Sequence, residues 1–290
     1  MRFVAVMVCA SALACGGAAQ AQSAPVKPVD PLHAWVGLKA PADLDNWIRW
    51  QISEEQRLIA QMLAVKGPRT VENTLLPFDR AEMHLTLAGD QGGIMFEVHP
   101  DKAVRDKAQA LLQVVSAEDA SVSLNQDIYK ALVAVDVSQA DPATKHYMDR
   151  TLLEYRLGGV DKDQATRDKV KQLQDRITEI SLKFSRNISD DVRKIPVKDK
   201  SELDGLPADY IARHIPAADG TITLTTDSPD MTPVMSYAKS PKLRRAMFLA
   251  YTNRAYPANT TVLKDLLEAR QQMATTLGFA TWADLATADR

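Results

Sequence analysis

The sequence predicts a mainly α fold: a multi-helix lobe with a long spine helix and one small β-hairpin. Three observations carry this. From Gln164 to Ser189, apolar residues recur at Val170, Leu173, Ile177, Ile180, Phe184 and Ile188. These steps of three and four place them on one helical face. Charges such as Asp175 and Lys183, or Arg176 and Glu179, occupy the rest of the surface. Similar helical spacing recurs between caps along much of the chain from Leu44 to Leu277. Against it, only Thr221 to Thr226 alternates convincingly with period two, setting Ile222 and Leu224 between threonines.

Taken in order, the first helix carries Leu44, Ile48, Ile52, Ile59 and Met62 or Leu63 on one face, with Trp47 beside it, and ends at Gly67-Pro68. A second begins at Thr70 and draws on Leu75, Leu76, Phe78, Met83, Leu85 and Leu87. Pro77 should kink or interrupt it, because proline lacks the N–H and crowds the preceding turn. Gly89, Gly92 and Gly93 predict a flexible stretch. His99-Pro100-Asp101 opens a helix through Val104, Ala108, Leu111, Leu112 and Val115. Another starts near Asn125 and buries Ile128, Leu132 and Val135. Asp141-Pro142 is an N-cap followed by a first-turn proline, and that helix runs to Gly158-Gly159. The spine, roughly 38 Å long at ~1.5 Å per residue, follows as the element shorter helices should pack against.

After Val192 the pattern changes. Ile195-Pro196-Val197 reads as extended, Ser201 to Leu206 as one helical turn, and Asp219-Gly220 as the turn before the β segment. Ser240-Pro241 caps a helix carrying Leu243, Met247, Leu249 and Tyr251. Asn259 or Thr260 caps the next, which Gly278 terminates, with Phe279 as the apolar contact. Thr281 and Asp284 form a capping box whose helix has little room before Arg290, so the chain is expected to be incomplete at its C-terminus.

Of the 290 residues, 46% are hydrophobic and 25% charged, which fits a folded domain rather than a disordered chain. A net charge of −2 argues against a nucleic-acid partner, which would need clustered lysine and arginine. Residues 1–21 read as a signal peptide. Arg2 leads an apolar core from Phe3 to Cys15, and Ala19-Gln20-Ala21 is a small-x-small cleavage site. A lipoprotein cut before Cys15 is the alternative. Both cysteines, Cys9 and Cys15, fall in this segment, so the mature chain would have no disulfide. The protein is expected to be periplasmic or secreted, with no membrane association after cleavage. Residues 22–42, holding Pro25, Pro28, Pro31 and Pro41, read as an extended leader, and residues 43–290 as the helical lobe.

The residues offer no catalytic, cofactor-binding or metal constellation. A zincin site needs two histidines one helical turn apart around a glutamate. Among His33, His84, His99, His146 and His214 the nearest pair, His84 and His99, is 15 positions apart. Glu82 near His84 and Glu97 near His99 read as structural. No G-x-S-x-G elbow or phosphate-binding glycine loop occurs. The acid pairs Glu54-Glu55 and Asp190-Asp191 read as solvated helix ends, and Lys242, Arg244 and Arg245 as one polar helix face.

Seven strings carry a resemblance. They are Val71-Glu-Asn-Thr-Leu-Leu-Pro-Phe78, Val98-His-Pro-Asp101, Phe184-Ser-Arg-Asn-Ile188, Gly205-Leu-Pro-Ala-Asp-Tyr-Ile211, Pro233-Val-Met-Ser-Tyr237, Asn253-Arg-Ala-Tyr-Pro257 and Leu277-Gly-Phe-Ala-Thr-Trp-Ala283. In this order they resemble the N-terminal half of the thimet oligopeptidase and oligopeptidase A family of zinc metallopeptidases. That resemblance implies a mostly helical lobe forming one wall of a channel that admits short peptides. It also implies that zinc, the HExxH motif and the third glutamate ligand belong to the other lobe. None of those residues has a counterpart here, so no catalytic, cofactor or metal role transfers. The expectation is an N-terminal fragment of an exported zinc-dependent oligopeptidase, of metalloendopeptidase or peptidyl-dipeptidase type. It would be inactive alone, with short peptides and a missing C-terminal catalytic half as partners. The alternative is a non-catalytic periplasmic peptide-binding or scaffold protein of helical type.

Overall fold

A computed structural model describes residues 24–289. The expected signal segment, with Cys9 and Cys15, lies outside the described residues. No helix among those described is long and apolar enough to cross a membrane.

Three long helices form the first and larger core: α1 (Pro41–Leu63), α2 (Leu76–Val98) and α3 (Lys102–Ser123). The predicted stripe of α1 is the one buried, with Leu44, Trp47, Ile48, Ile52, Ile59 and Met62 inside. Met62, not Leu63, completes it. Pro41, within the stretch 22–42 read as a leader, is the first residue of α1, a position where its missing N–H has no helical partner to lose. The irregular segment before it lies against the helices. Trp47 Nε1 donates to the Asp30 carbonyl at 2.9 Å. The Gln91 carboxamide accepts from Ala34 N at 2.6 Å and donates to the Leu32 carbonyl.

Residues Val71–Leu75 form a π-helical turn capped by Thr70 and Asn73, and α2 starts directly after it. Pro77 therefore sits in the first turn of α2, where it is tolerated, and the interruption it predicts is the wide turn before it. Leu76 and Met83, expected as apolar contacts, are exposed. The glycine-rich stretch is not a flexible break: Gly89, Gly92 and Gly93 all lie inside α2. A Cβ on Gly92 would stand 3.2 Å from Leu112 Cδ2 and 3.3 Å from Ile48 Cδ1. Its missing side chain lets α1, α2 and α3 approach one another.

Two shorter helices, α4 (Gln126–Val133) and α5 (Pro142–Leu157), cover this core; Asp141 caps α5 as predicted, and Asn125, where a helix was expected to start, caps α4. The spine, α6 (Gln164–Asp190), packs between α3 and a later long helix, α10 (Ala258–Leu277). It is less central than its stripe suggests. Only Val170 and Leu173 are buried, and the residues from Ile177 to Ile188 are half-buried. Leu182 of α6 packs against the first core, while Val170 and Leu173 join Leu124, Met273 and Leu277 in a smaller cluster of their own. Its inter-helix ion pair runs from Arg186 to Asp106 on α3, at 2.8 Å.

A second core gathers Ile195, Val197, Tyr210, Leu224, Val234 and Met247, among others. Strands β1 (Lys194–Val197) and β2 (Ile222–Thr225) pair antiparallel, with Ile195 opposite Leu224 and Val197 opposite Ile222. The ribbon is not closed by a tight turn. Residues 198–221 intervene, carrying a 3-10 turn at Lys200–Leu203 and α7 (Ala208–Arg213). Helices α8 (Ser228–Tyr237) and α9 (Pro241–Thr252) pack beside the ribbon. Helix α10 begins at Ala258, before the predicted caps. Asn259 does not cap it. Its side chain instead donates to the Phe184 carbonyl at 3.0 Å and accepts from Asn187 Nδ2 at 2.7 Å, tying α10 to α6. Gly278 closes the helix at φ +94°, with Phe279 N donating to the Ala274 carbonyl at 2.8 Å. The capping box of Thr281 and Asp284 starts α11 (Trp282–Ala286).

The glycines of α2 separate contact from flexibility. Gly92→Val should destabilise the fold by about 2 kcal/mol through overpacking. Gly93→Ala, which meets nothing within 4 Å, should stabilise it by about 0.5–1 kcal/mol through helix propensity. Urea unfolding of the two variants checks this, since a flexible break would leave both near wild type.

Candidate functional site

The five histidines sit apart, each with a local partner or in solvent. His33 Nδ1 lies 2.9 Å from Asp30 Oδ2, and the ring leans on Trp35. His84, on α2, packs edge-on to Trp50 with Nδ1 2.5 Å from Gln51 Oε1, and its pKa is lowered chiefly by burial. His99 Nδ1 accepts from Asp101 N at 3.1 Å, bracing the entry to α3. His146 is exposed on α5. Among the described residues, no group of three or more His, Cys, Asp or Glu could hold a metal ion.

His214 belongs to a knot in the second core. Its Nδ1 faces the Tyr210 carbonyl at 2.8 Å and its Nε2 faces Asp230 Oδ1 at 2.9 Å. The same Asp230 oxygen accepts from Tyr210 OH at 3.1 Å, and the other accepts from Thr225 N at 2.7 Å and Thr225 Oγ1 at 2.8 Å. Burial works to raise the Asp230 pKa, but the Thr225, Tyr210 and His214 contacts outweigh it and hold the carboxyl below its usual range. One carboxylate thus joins β2, α7 and α8, a structural role.

The acid pairs depart most from expectation. Glu54 is at the surface, 3.0 Å from Arg57. Glu55 is not: it is 1% exposed, on the face of α1 that also carries Gln51, Ile52, Leu58 and Ile59. One residue along a helix turns the side chain by about 100°, enough to separate solvent from core. Burial first, then the charge of Glu118 on α3, a hydrogen bond to it, and the charge of Glu82 on α2, push the Glu55 carboxyl up to about 8. Glu82 is pushed up to about 7 by burial and by the charges of Asp119, Glu154 and Asp79. Burial also raises Asp119. Tyr155 projects from α5 into this group, and its phenol is raised by burial and by Glu82 and Asp119. The signal in the sequence was a glutamate in step with an apolar stripe.

Asp191, the other expected solvated acid, is a bracket. It accepts from Arg193 Nη2 at 2.9 Å and from Ala255 N at 2.7 Å, and Arg193 holds its carboxyl below the usual range. Of the expected basic face, Lys242 pairs with Glu202 at 2.7 Å, while Arg244 donates to the Ala238 and Lys239 carbonyls beyond the end of α8.

Two hollows flank the larger core. An apolar groove of about 380 Å³ lies where α3, α6, α10 and α11 meet, floored by Val170, Ile177, Met273, Leu277, Trp282 and Leu285. A polar cavity of about 320 Å³ lies between α2, α3 and α5 and contains Glu82, Asp119 and Tyr155. The groove can seat apolar side chains. The cavity can hold positive charge.

Comparison with known proteins follows the same outline. No family model matches the chain. It is 28% identical to saccharolysin of Saccharomyces cerevisiae over 256 residues, 84% of this chain and 36% of the relative. It is 26% identical to a thimet-like oligopeptidase of Dictyostelium discoideum over 227 residues, 75% of this chain and 34% of the relative. It is also 28% identical to an organellar oligopeptidase A of Arabidopsis thaliana, over 91% of this chain and 34% of the relative. The chain spans little more than a third of the length of these relatives. Its resemblance to the thimet oligopeptidase and oligopeptidase A family extends over three quarters of its residues or more.

The buried acids set a pH dependence. A carboxyl whose folded pKa is raised stabilises fully below its unfolded pKa of 4.5 and loses that contribution as pH rises through the folded value. Stability should therefore fall between about pH 5 and 8, by on the order of 2–4 kcal/mol from Glu55 alone. Urea midpoints across that range should decline in wild type and flatten in Glu55→Gln. An unchanged slope in the variant would show that Glu55 is not the source.

Proposed function

We propose that this chain is the N-terminal part of an exported, zinc-dependent oligopeptidase, a helical wall beside which short peptides are hydrolysed. One observation carries the reading: similarity to three oligopeptidases along 75–91% of the chain. The helical architecture of the described residues is consistent with it.

Among the described residues, the histidines and acids do not fit a catalytic zinc. Such a site gathers three protein ligands and leaves one position for water. Here the histidines lie on separate elements, each committed to a local contact or exposed, and the buried carboxyls are held close to neutrality. The metal and the residues that act with it are assigned to polypeptide outside these 290 residues. What remains for this chain is shape and contact: the apolar groove between α6 and α11 is a surface on which peptide or protein can lie. That groove also favours the second reading, a non-catalytic periplasmic peptide-binding or scaffold protein.

The purified chain, supplied with zinc and a quenched short peptide, is expected to show no chelator-sensitive hydrolysis. Chelator-sensitive cleavage would overturn the assignment of the metal elsewhere. Micromolar peptide binding without turnover, by a monomer that unfolds cooperatively, would favour the second reading. Export is tested separately. The protein recovered from the periplasm or medium should begin at Gln22, and a lipid-modified Cys15 at the N-terminus would replace signal cleavage with lipoprotein anchoring.

A further inference from the structure

His214 stands between two hydrogen-bond acceptors. Its Nδ1 lies 2.8 Å from the Tyr210 carbonyl and its Nε2 lies 2.9 Å from Asp230 Oδ1. A neutral imidazole has one N–H and one bare nitrogen. It can donate to one of these oxygens and must set a lone pair against the other. An imidazolium donates to both.

A proton on Asp230, shared with Nε2, would remove the conflict, but the other contacts of that carboxylate oppose it. Thr225 N and Thr225 Oγ1 donate to Oδ2 at 2.7 Å and 2.8 Å, and Tyr210 OH donates to Oδ1 at 3.1 Å. A carboxylate that accepts this many hydrogen bonds is favoured in its charged form. The Tyr210 carbonyl is equally committed. His214 N donates to Ile211, so the Tyr210 oxygen in the last turn of α7 is left for the ring, a common way of satisfying a helix end. The His214 side chain is 18% exposed and leans on the Tyr210 ring at 4.4 Å between centroids, so water replaces neither contact readily. Asp230 from α8 and Tyr210 from α7 are the titratable groups in direct contact with the ring. Lys200 and Asp204, from the 3-10 turn and the residue after it, line the same hollow as His214, and Arg213 of α7 lies over the Tyr210 ring.

We propose that His214 is an imidazolium clasping α7 to Asp230, and that loss of its second proton as pH rises loosens α7 from β2 and α8. Once neutral, the ring must release either the Tyr210 carbonyl or Asp230. The carboxylate that fixes Thr225 of β2 then holds α7 by fewer ties. The apolar hollow beside the ring, about 410 Å³ and lined by Leu203, Ile211, Ile215 and Ile222, is the part of the second core that this opening would affect first.

The test is nitrogen-15 NMR of the whole chain with labelled histidine, from about pH 5 to about pH 9, which brackets the free histidine value near 6.5. Contacts with the Tyr210 ring identify the His214 signals. At about pH 7, where free histidine is mostly neutral, both His214 ring nitrogens should be of the N–H type. As the second proton leaves at higher pH, hydrogen-exchange protection of the Thr225 amide, taken relative to that of Ile48 in the first core, should fall about tenfold, as loss of one charge-assisted contact implies. His214→Gln carries its donors on a single nitrogen, so in that variant the ratio should stay constant with pH. Circular dichroism checks that it folds, and the wild-type spectra decide alone if it does not. A bare ring nitrogen at about pH 7, Thr225 protection that does not follow the ring, or the same pH dependence in a folded His214→Gln would overturn the proposal.

Discussion

The close crossing of α1, α2 and α3 at Gly92 is the constraint from which the rest of the larger core follows. Ile48 of α1 and Leu112 of α3 occupy the space that a side chain there would fill. With the three axes drawn together, Leu44, Phe78 and Leu111 can be buried almost completely in one cluster. The same packing shuts Glu55 away from water at 1% exposure, so its carboxyl must be protonated, paired or compensated. Packing and electrostatics at this junction are one problem.

The second core is built differently. It rests on a short ribbon and a single carboxylate, Asp230, whose oxygens accept four hydrogen bonds from β2 and from the segment of α7 that ends in His214. Polar contacts supply there what extensive helix packing supplies in the first core. Helix α6 runs between, tied to α3 through Arg186 and to α10 through Asn187. Its half-buried stripe reflects this shared duty, because neither neighbour covers it fully.

These features bear on function by division of labour. Among the described residues His99 braces the entry to α3, His214 joins the knot around Asp230, and no group of three or more His, Cys, Asp or Glu could hold a metal ion. The alignments cover 34–36% of the oligopeptidases to which the chain is similar. Under the proposed reading this chain contributes a helical, grooved wall to such a molecule.

Much of the fold was legible because helices are local objects. The stripe of α1, the helix entries at Asp101 and Asn125, the caps at Asp141 and Ser240, and the stop at Gly278 depend on residues within a turn or two of one another. Other outcomes depended on partners distant in the chain. Gly92 reads as flexible until Ile48 and Leu112 are seen to need its space, and Asn259 reads as a cap until Phe184 claims its amide. Glu55 reads as solvated until α2 and α3 close over it. The sequence by itself determined which segments coil and where they stop, since those energies are settled between near neighbours. Only the tertiary structure decided which polar side chains would be shut inside, because burial is a property of the neighbours a residue meets.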